Sequence, residues 1–456
     1  MTLPIWLVVL ALLFAAVAVL DRMLVPSVRW FFRRRMERAV AELNKRLIRP
    51  IRPFKLMRRQ DMIVRLSYDP QVMEAVVDYA REKGMPESVA FQQARRYARE
   101  IVPGFSAATY FGFAIRVARW LSRLLYRVRL GQYDEAAFRA IDPQATVIFV
   151  MNHRSNMDYV LVTYLVAERS TLSYAVGEWA RVWPLQRLVR AMGAYFIRRR
   201  YMNPLYRRVL ARYVQMATAE GVTQAIFPEG GLSRTGAVGE AKKGLLHYIL
   251  TGFDPHDGKD VVFVPVALNY DRVIEDRALI EAATTGRSRF QVRPRLILGY
   301  ALRLVVLRLR GQFHRFGYAA VSFGAPLSLG EFVATRPGLQ TDALAHTLMK
   351  RIREVMPVLP VPLLAALILR HDGQASEARL QEDYLTCLGK LPGAGALAAD
   401  PPTETFARAL ATLQKRGLVR AEAGLVTVVP SEESLLGYYA ASVAHLLEDT
   451  PSSAAT

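Results

Sequence analysis

The chain has 456 residues, of which 52% are hydrophobic and 22% charged, a composition that argues against disorder and allows at least one large core. Its 61 Lys and Arg against 40 Asp and Glu give a formal charge of +21, which calls for a polyanionic partner: nucleic acid, anionic lipid or a phosphorylated substrate. A single cysteine, Cys387, excludes an intramolecular disulfide and a tetrahedral cysteine metal site, as expected of a reducing compartment.

Leu3 to Leu20 is an uncharged apolar run of eighteen residues, at the lower edge of a bilayer span. No basic residue precedes it, which argues against a secretory signal, and it is long for a buried core helix. We therefore expect a transmembrane anchor over residues 1–24. Arg22 to Arg65 then holds fourteen basic and three acidic residues, which by the positive-inside rule places the body of the chain in the cytoplasm, against the cytoplasmic membrane.

Residues 25–104 read as a basic, mostly helical juxtamembrane region interrupted by Pro50, Pro53 and Pro70. In Phe105 to Leu130, Arg116, Arg119, Arg123 and Arg127 recur at helical spacing, predicting an amphipathic helix over 105–130. Such a helix suits the headgroup region of anionic lipids, and equally an ordinary solvated surface. From Thr146, short β-branched runs (TVIFVMN, TLSYAVG, AYFIR, TQAIFPEG, VVFVPVALNY, YAAVSFG) alternate with helical segments. This predicts an α/β domain over residues 105–340, built on a largely parallel sheet flanked by helices, with its working residues beyond the carboxyl ends of the strands. Residues 341–456 read as a mainly helical C-terminal domain, and from His371 onward acidic residues outnumber basic ones eleven to six.

Four segments carry candidate chemistry. After the strand ending at Val150, His153 falls in a strand-to-helix turn and Asp158 in the first turn of the helix, with Ser155 or Asn156 as cap. Asp158 can accept from one imidazole nitrogen and leave the other as a base, two-thirds of a hydrolytic triad whose serine is replaced by an acceptor hydroxyl. The spacing alone is also that of a plain cap and turn. Next, GAYFIRRR runs a strand into Arg198, Arg199 and Arg200, whose forks suit a phosphate dianion. FPEGGLSRTG places Glu229, Gly230, Ser233 and Arg234 on a glycine-rich loop with Lys242 just beyond, a setting for holding phosphate through backbone N–H groups. VPVALNYDRV reads as a buried strand with polar residues past its end.

In this order the segments resemble the four blocks of the glycerolipid acyltransferase superfamily: HRSNMD its His-x4-Asp signature, FPEGGLSR its Phe-x-Glu-Gly-x-x-Ser-Arg signature. The likeness is greatest to bacterial membrane glycerol-3-phosphate acyltransferases and extends from about Glu100 to a C-terminal Leu436-Gly437-Tyr438-Tyr439. The resemblance implies a glycerol-phosphate acyltransferase-like fold, with His153 as general base and Asp158 orienting it. It implies an acceptor site from Arg154, Arg198, Arg199, Glu229, Gly230, Ser233, Arg234 and Lys242, and an acyl-donor site at Pro265 and Tyr270. The implied reaction moves a fatty acyl group from acyl-CoA or acyl carrier protein, as co-substrate, to the sn-1 hydroxyl of glycerol-3-phosphate, the first step of phospholipid synthesis, with no cofactor. Leu232 stands where the subfamily has arginine, and Ala441 and Ser442 where asparagines are usual. The first departure keeps lysophosphatidate and dihydroxyacetone phosphate open as acceptors.

No histidine shows HExxH or paired-ligand spacing, so no metal is expected. Phe406 to Val429 reads as helix then hairpin, the pattern of a winged helix, but the net acidic C-terminal region has the wrong sign for a nucleic-acid reader, so none is expected as a partner.

Overall fold

The computed structural model describes residues 34, 38, 40–45, 47, 49–166, 172–177, 185–198, 202–256, 259–285, 310, 315–336, 338 and 340–448. The expected anchor at residues 1–24 lies outside them. Among the described residues no helix is long and apolar enough to cross a membrane. Residues up to 51 belong to one compact unit, in which the Asn44 side chain accepts from the Ile51 backbone at 2.8 Å. The second unit takes in residues 52–167 and 171–456.

The alternation of β-branched runs builds a sheet. Its strands are β1 (Arg127–Leu130), β2 (Thr146–Met151), β3 (Ser173–Val176), β4 (Tyr195–Phe196), β5 (Gln224–Ile226), β6 (Val261–Tyr270), β7 (Tyr318–Phe323) and β8 (Leu327–Ser328). Their spatial order is β1-β7-β6-β2-β5-β3-β4, with β8 beside β6. Strands β6, β2, β5, β3 and β4 run parallel, while β7 returns antiparallel to β6 and β1 lies parallel to β7. The expected largely parallel α/β sheet is therefore present, with β2 between β5 and β6 at its centre.

Both faces are buried, and the period-2 geometry of β2 shows how. Ile148 and Val150 face a core shared with helices 59–67, 70–83, 87–101, 204–219, 244–251 and 341–354. Val147, Phe149 and Met151 face the other core, shared with helices 157–166, 360–370, 402–415 and 433–440. The sequence regions 25–104 and 341–456 thus contribute helices to the same unit as the sheet, the first from residue 52 on. A small antiparallel sheet of β9 (Gln374–Ser376), β10 (Val419–Glu422) and β11 (Leu425–Val428) joins the C-terminal helices.

Pro265 is accommodated inside β6 because on one side it falls between two pairings: β8 meets Val262 and Phe263, and β7 meets Val266 to Tyr270. The helix expected over 105–130 is shorter than the arginine spacing suggested. A π-type turn over Ala108–Ala114 leads into a helix Ile115–Leu125, Tyr126 is extended, and Arg127 begins β1. RVRL alternates with period 2, and pairing with β7 wins over continuation of the helix.

Candidate active site

The site begins where β2 ends. Asn152 continues the ladder with its side chain: Nδ2 donates to the Leu268 carbonyl at 3.0 Å and Oδ1 accepts from the Leu268 N–H at 2.7 Å. The chain then turns, and Ser155 Oγ caps helix Met157–Val166 by accepting from Met157 N at 3.1 Å. His153 and Asp158 are thereby brought together, with His153 Nδ1 2.9 Å from Asp158 Oδ2. The same oxygen accepts from the backbone N–H of Arg154 (2.8 Å) and of Ser155 (3.1 Å), and Tyr270 donates its hydroxyl to Oδ1 at 2.6 Å. Asp158 is fully buried, and its two oxygens are met by four donors. With Nδ1–H directed at Asp158, Nε2 carries the lone pair, and no described residue hydrogen-bonds it. Phe227, 4.2 Å from the imidazole centroid, and Tyr159 at 5.5 Å wall the ring with aromatic surface.

The third block grips His153 by its backbone. Glu229 Oε1 accepts from His153 N at 2.9 Å, and Oε2 from Gly239 N at 3.2 Å. Burial pushes this carboxyl up to about 7, and the two backbone donors only partly counter it. The Ser233 N–H donates to the His153 carbonyl at 2.7 Å, while its hydroxyl donates to Ala237 O at 2.7 Å and accepts from Gly236 N at 3.1 Å. Glu229 and Ser233, expected as acceptor ligands, thus both brace the turn that carries His153.

The remaining expected residues scatter. Gly230 takes φ +66° beneath Lys242, whose own N–H donates to Pro228 O at 2.7 Å and whose side chain is exposed. Arg234 is exposed, with Nη1 3.5 Å from Ala282 O. Arg154 is buried, with Nη1 on the Gly236 carbonyl and its guanidinium 5.0 Å from the Tyr438 ring centroid. Arg198, expected to hold phosphate, is paired with a carboxylate. Its Nε and Nη2 close on the two oxygens of Glu100 at 2.7 and 2.6 Å, spending the fork that a phosphate would need. Arg199 lies outside the described residues. Pro265 and Tyr270, expected at the acyl-donor site, are both buried, and the Tyr270 hydroxyl is spent on Asp158. Leu232 packs against the core on the His153 side of the sheet.

Sequence reasoning missed the second ring of partners. Glu275 accepts from Ser155 Oγ at 2.8 Å and from Asn156 Nδ2 at 3.0 Å, fixing the turn at residues 155 and 156. Asp276 accepts from Tyr439 and Arg416, and Tyr439 in turn accepts from Val273 N at 3.1 Å. Asp271, which burial pushes up to about 7, accepts from Tyr318 N at 2.8 Å and from Val361 N, in the first turn of helix Pro360–Arg370, at 2.9 Å. The hints in the sequence were the polar residues past the end of β6 and Tyr439 in the C-terminal likeness. Each partner lies 47 to 166 positions away along the chain.

Residues 135–269 match the acyltransferase family model, and residues 304–449 match the model of the glycerol-3-phosphate acyltransferase C-terminal region. Two separate segments of the chain are thus similar to acyltransferase families. Proteins named glycerol-3-phosphate acyltransferase from Pseudomonas putida and Ectopseudomonas mendocina are 28% and 29% identical to it over 73% of this chain, and one from Pseudomonas fluorescens is 30% identical over 74%. The chain spans 42% of the length of these relatives. A crystal structure of a 1-acyl-sn-glycerophosphate acyltransferase from Thermotoga maritima aligns with a TM-score of 0.32 at 16% identity, covering 65% of this chain and 98% of that one. The acyltransferase match contains His153, Asp158, Glu229, Ser233 and Pro265, and stops one residue before Tyr270.

Proposed function

We propose that this chain transfers a fatty acyl group from a thioester donor, acyl-CoA or acyl carrier protein, to the sn-1 hydroxyl of glycerol-3-phosphate, the first step of phospholipid synthesis. The observation that carries the reading is the His153–Asp158 pair, whose Nε2 no described residue engages. Neither serine of the cluster supplies a nucleophile to it: Ser155 donates its hydroxyl to Glu275 and Ser233 donates to Ala237 O. The acceptor hydroxyl therefore attacks the thioester carbonyl itself. Its oxygen bonds to the carbonyl carbon, its proton passes to His153 Nε2, and collapse of the tetrahedral intermediate breaks the C–S bond. His153 returns the proton to the departing thiolate, and Asp158 balances the imidazolium in between. The relatives' printed names support glycerol-3-phosphate as acceptor. The chemistry needs no cofactor beyond the thioester.

The same reading sets the body of the chain at the cytoplasmic membrane, on its cytoplasmic face and against anionic lipid. Phe113, Val117 and Trp120, spaced by four and three residues, are 53%, 38% and 59% exposed on one helical face, with Arg116 and Arg123 exposed alongside. Aromatic side chains flanked by guanidinium groups suit the headgroup boundary. The function is tested by offering a radiolabelled thioester with glycerol-3-phosphate, dihydroxyacetone phosphate and lysophosphatidate in parallel. Preference for glycerol-3-phosphate supports the assignment; preference for either of the others moves the acceptor and leaves the chemistry.

A further inference from the structure

We propose that Arg154 and Tyr438 form a binding site for a phosphate monoester, the residue after the catalytic histidine and the C-terminal region together holding the acceptor's phosphate. The proposal rests on the acceptor reading above.

Arg154 is 1% exposed and Tyr438 2% exposed. Nη1 of Arg154 donates to the Gly236 carbonyl, whereas Nε and Nη2 have no hydrogen-bond partner among the described residues, and neither has the Tyr438 hydroxyl. Buried polar groups are nearly always paired, and a guanidinium with two unmatched N–H groups is costly. Nε and Nη2 form the side-on edge of the guanidinium, the two-donor fork that matches two oxygens of a phosphate. The guanidinium lies 5.0 Å from the Tyr438 ring centroid, so the two side chains are direct neighbours. Burial pushes that phenol up to about 12, so at neutral pH it is a donor. The carboxylates of the neighbourhood, Asp158, Glu229 and Glu275, are bound by other donors, and none forms an ion pair with Arg154. Gly236 completes the junction. A side chain there would meet the Tyr438 carbonyl, so the third-block loop, Arg154 and helix Glu433–Ala440 meet at one point.

Isothermal titration of the 456-residue protein with glycerol-3-phosphate, inorganic phosphate, glycerol and coenzyme A tests this. Tyr438→Phe removes only the hydroxyl and keeps the ring, and Arg154→Lys keeps the charge and removes the fork. The expected result is that wild type binds glycerol-3-phosphate and phosphate but not glycerol, and that each variant weakens phosphate-ester binding about tenfold or more while leaving coenzyme A unchanged. Unchanged glycerol-3-phosphate affinity in both variants overturns the site. Weakened coenzyme A with unchanged glycerol-3-phosphate assigns the phosphate to the donor and overturns the acceptor assignment. If phosphate-ester binding depends on both residues yet wild type transfers no acyl group to glycerol-3-phosphate, the site stands and the proposed function falls.

Discussion

The Tyr270 hydroxyl donates to Asp158 Oδ1 at 2.6 Å while the other oxygen of the same carboxylate holds His153 Nδ1 at 2.9 Å, so the fourth block reaches His153 through Asp158. Tyr270 is a positioning residue. Tyr270→Phe keeps the ring on Tyr126, 5.4 Å away, and removes one donor from a buried carboxylate. Steady-state kinetics should show kcat reduced about tenfold with KM for the thioester unchanged. A raised donor KM at unchanged kcat returns Tyr270 to the donor site.

Glu229 makes stability depend on pH. Its carboxyl rises from 4.5 to about 7 on folding, because burial disfavours the charge. The folded state therefore binds the proton more tightly than the unfolded state. The associated stabilisation is full below about pH 4.5, declines as pH rises through about 7, and is absent above. Urea unfolding between pH 4.5 and 8 should show a decline that is shallower in Glu229→Gln. An identical slope in the two proteins would show that the carboxyl does not titrate there.

Gly236 takes φ +86°, and a Cβ built on it lies 1.8 Å from the Tyr438 carbonyl oxygen, which is backbone and cannot swing aside. Gly236→Ala adds about 1–2 kcal/mol of left-handed strain to that clash. The variant should be destabilised by about 3 kcal/mol or more in urea titration, with activity lost through displacement of Ser233 and the His153 carbonyl it holds. Wild-type stability would mean that the loop and helix 433–440 are not packed as described.

Arg198 and Glu100 are a bidentate pair beside the edge-to-face rings of Tyr97 and Tyr206, whose centroids lie 5.1 and 5.3 Å from the guanidinium. Glu100→Gln should lower stability by about 1–2 kcal/mol and change KM for glycerol-3-phosphate less than threefold. A large rise in KM with stability intact would restore Arg198 to the phosphate.

Local pattern explains what was legible beforehand. The β-branched runs disclosed the parallel sheet because its strands are buried on both faces. His153, Asp158 and the capping Ser155 were readable because all three lie within one strand-to-helix turn. The donors to Asp158 from Tyr270, the grip of Glu229 on His153 and the closure of Arg198 on Glu100 span 112, 76 and 98 residues, and only the folded chain brings those partners together. Arg127 misled for a different reason: it continues a helical spacing of arginines, yet its backbone pairs with Tyr318 in β7.

Acyl transfer to glycerol-3-phosphate by His153→Ala, compared with wild type under saturating thioester, tests the central claim most directly. Loss of the proposed base should lower kcat by about two to four orders of magnitude, with the fold retained because the backbone N–H and carbonyl of residue 153 still bond Glu229 and Ser233. A variant as active as wild type would contradict direct base catalysis by the His153–Asp158 pair.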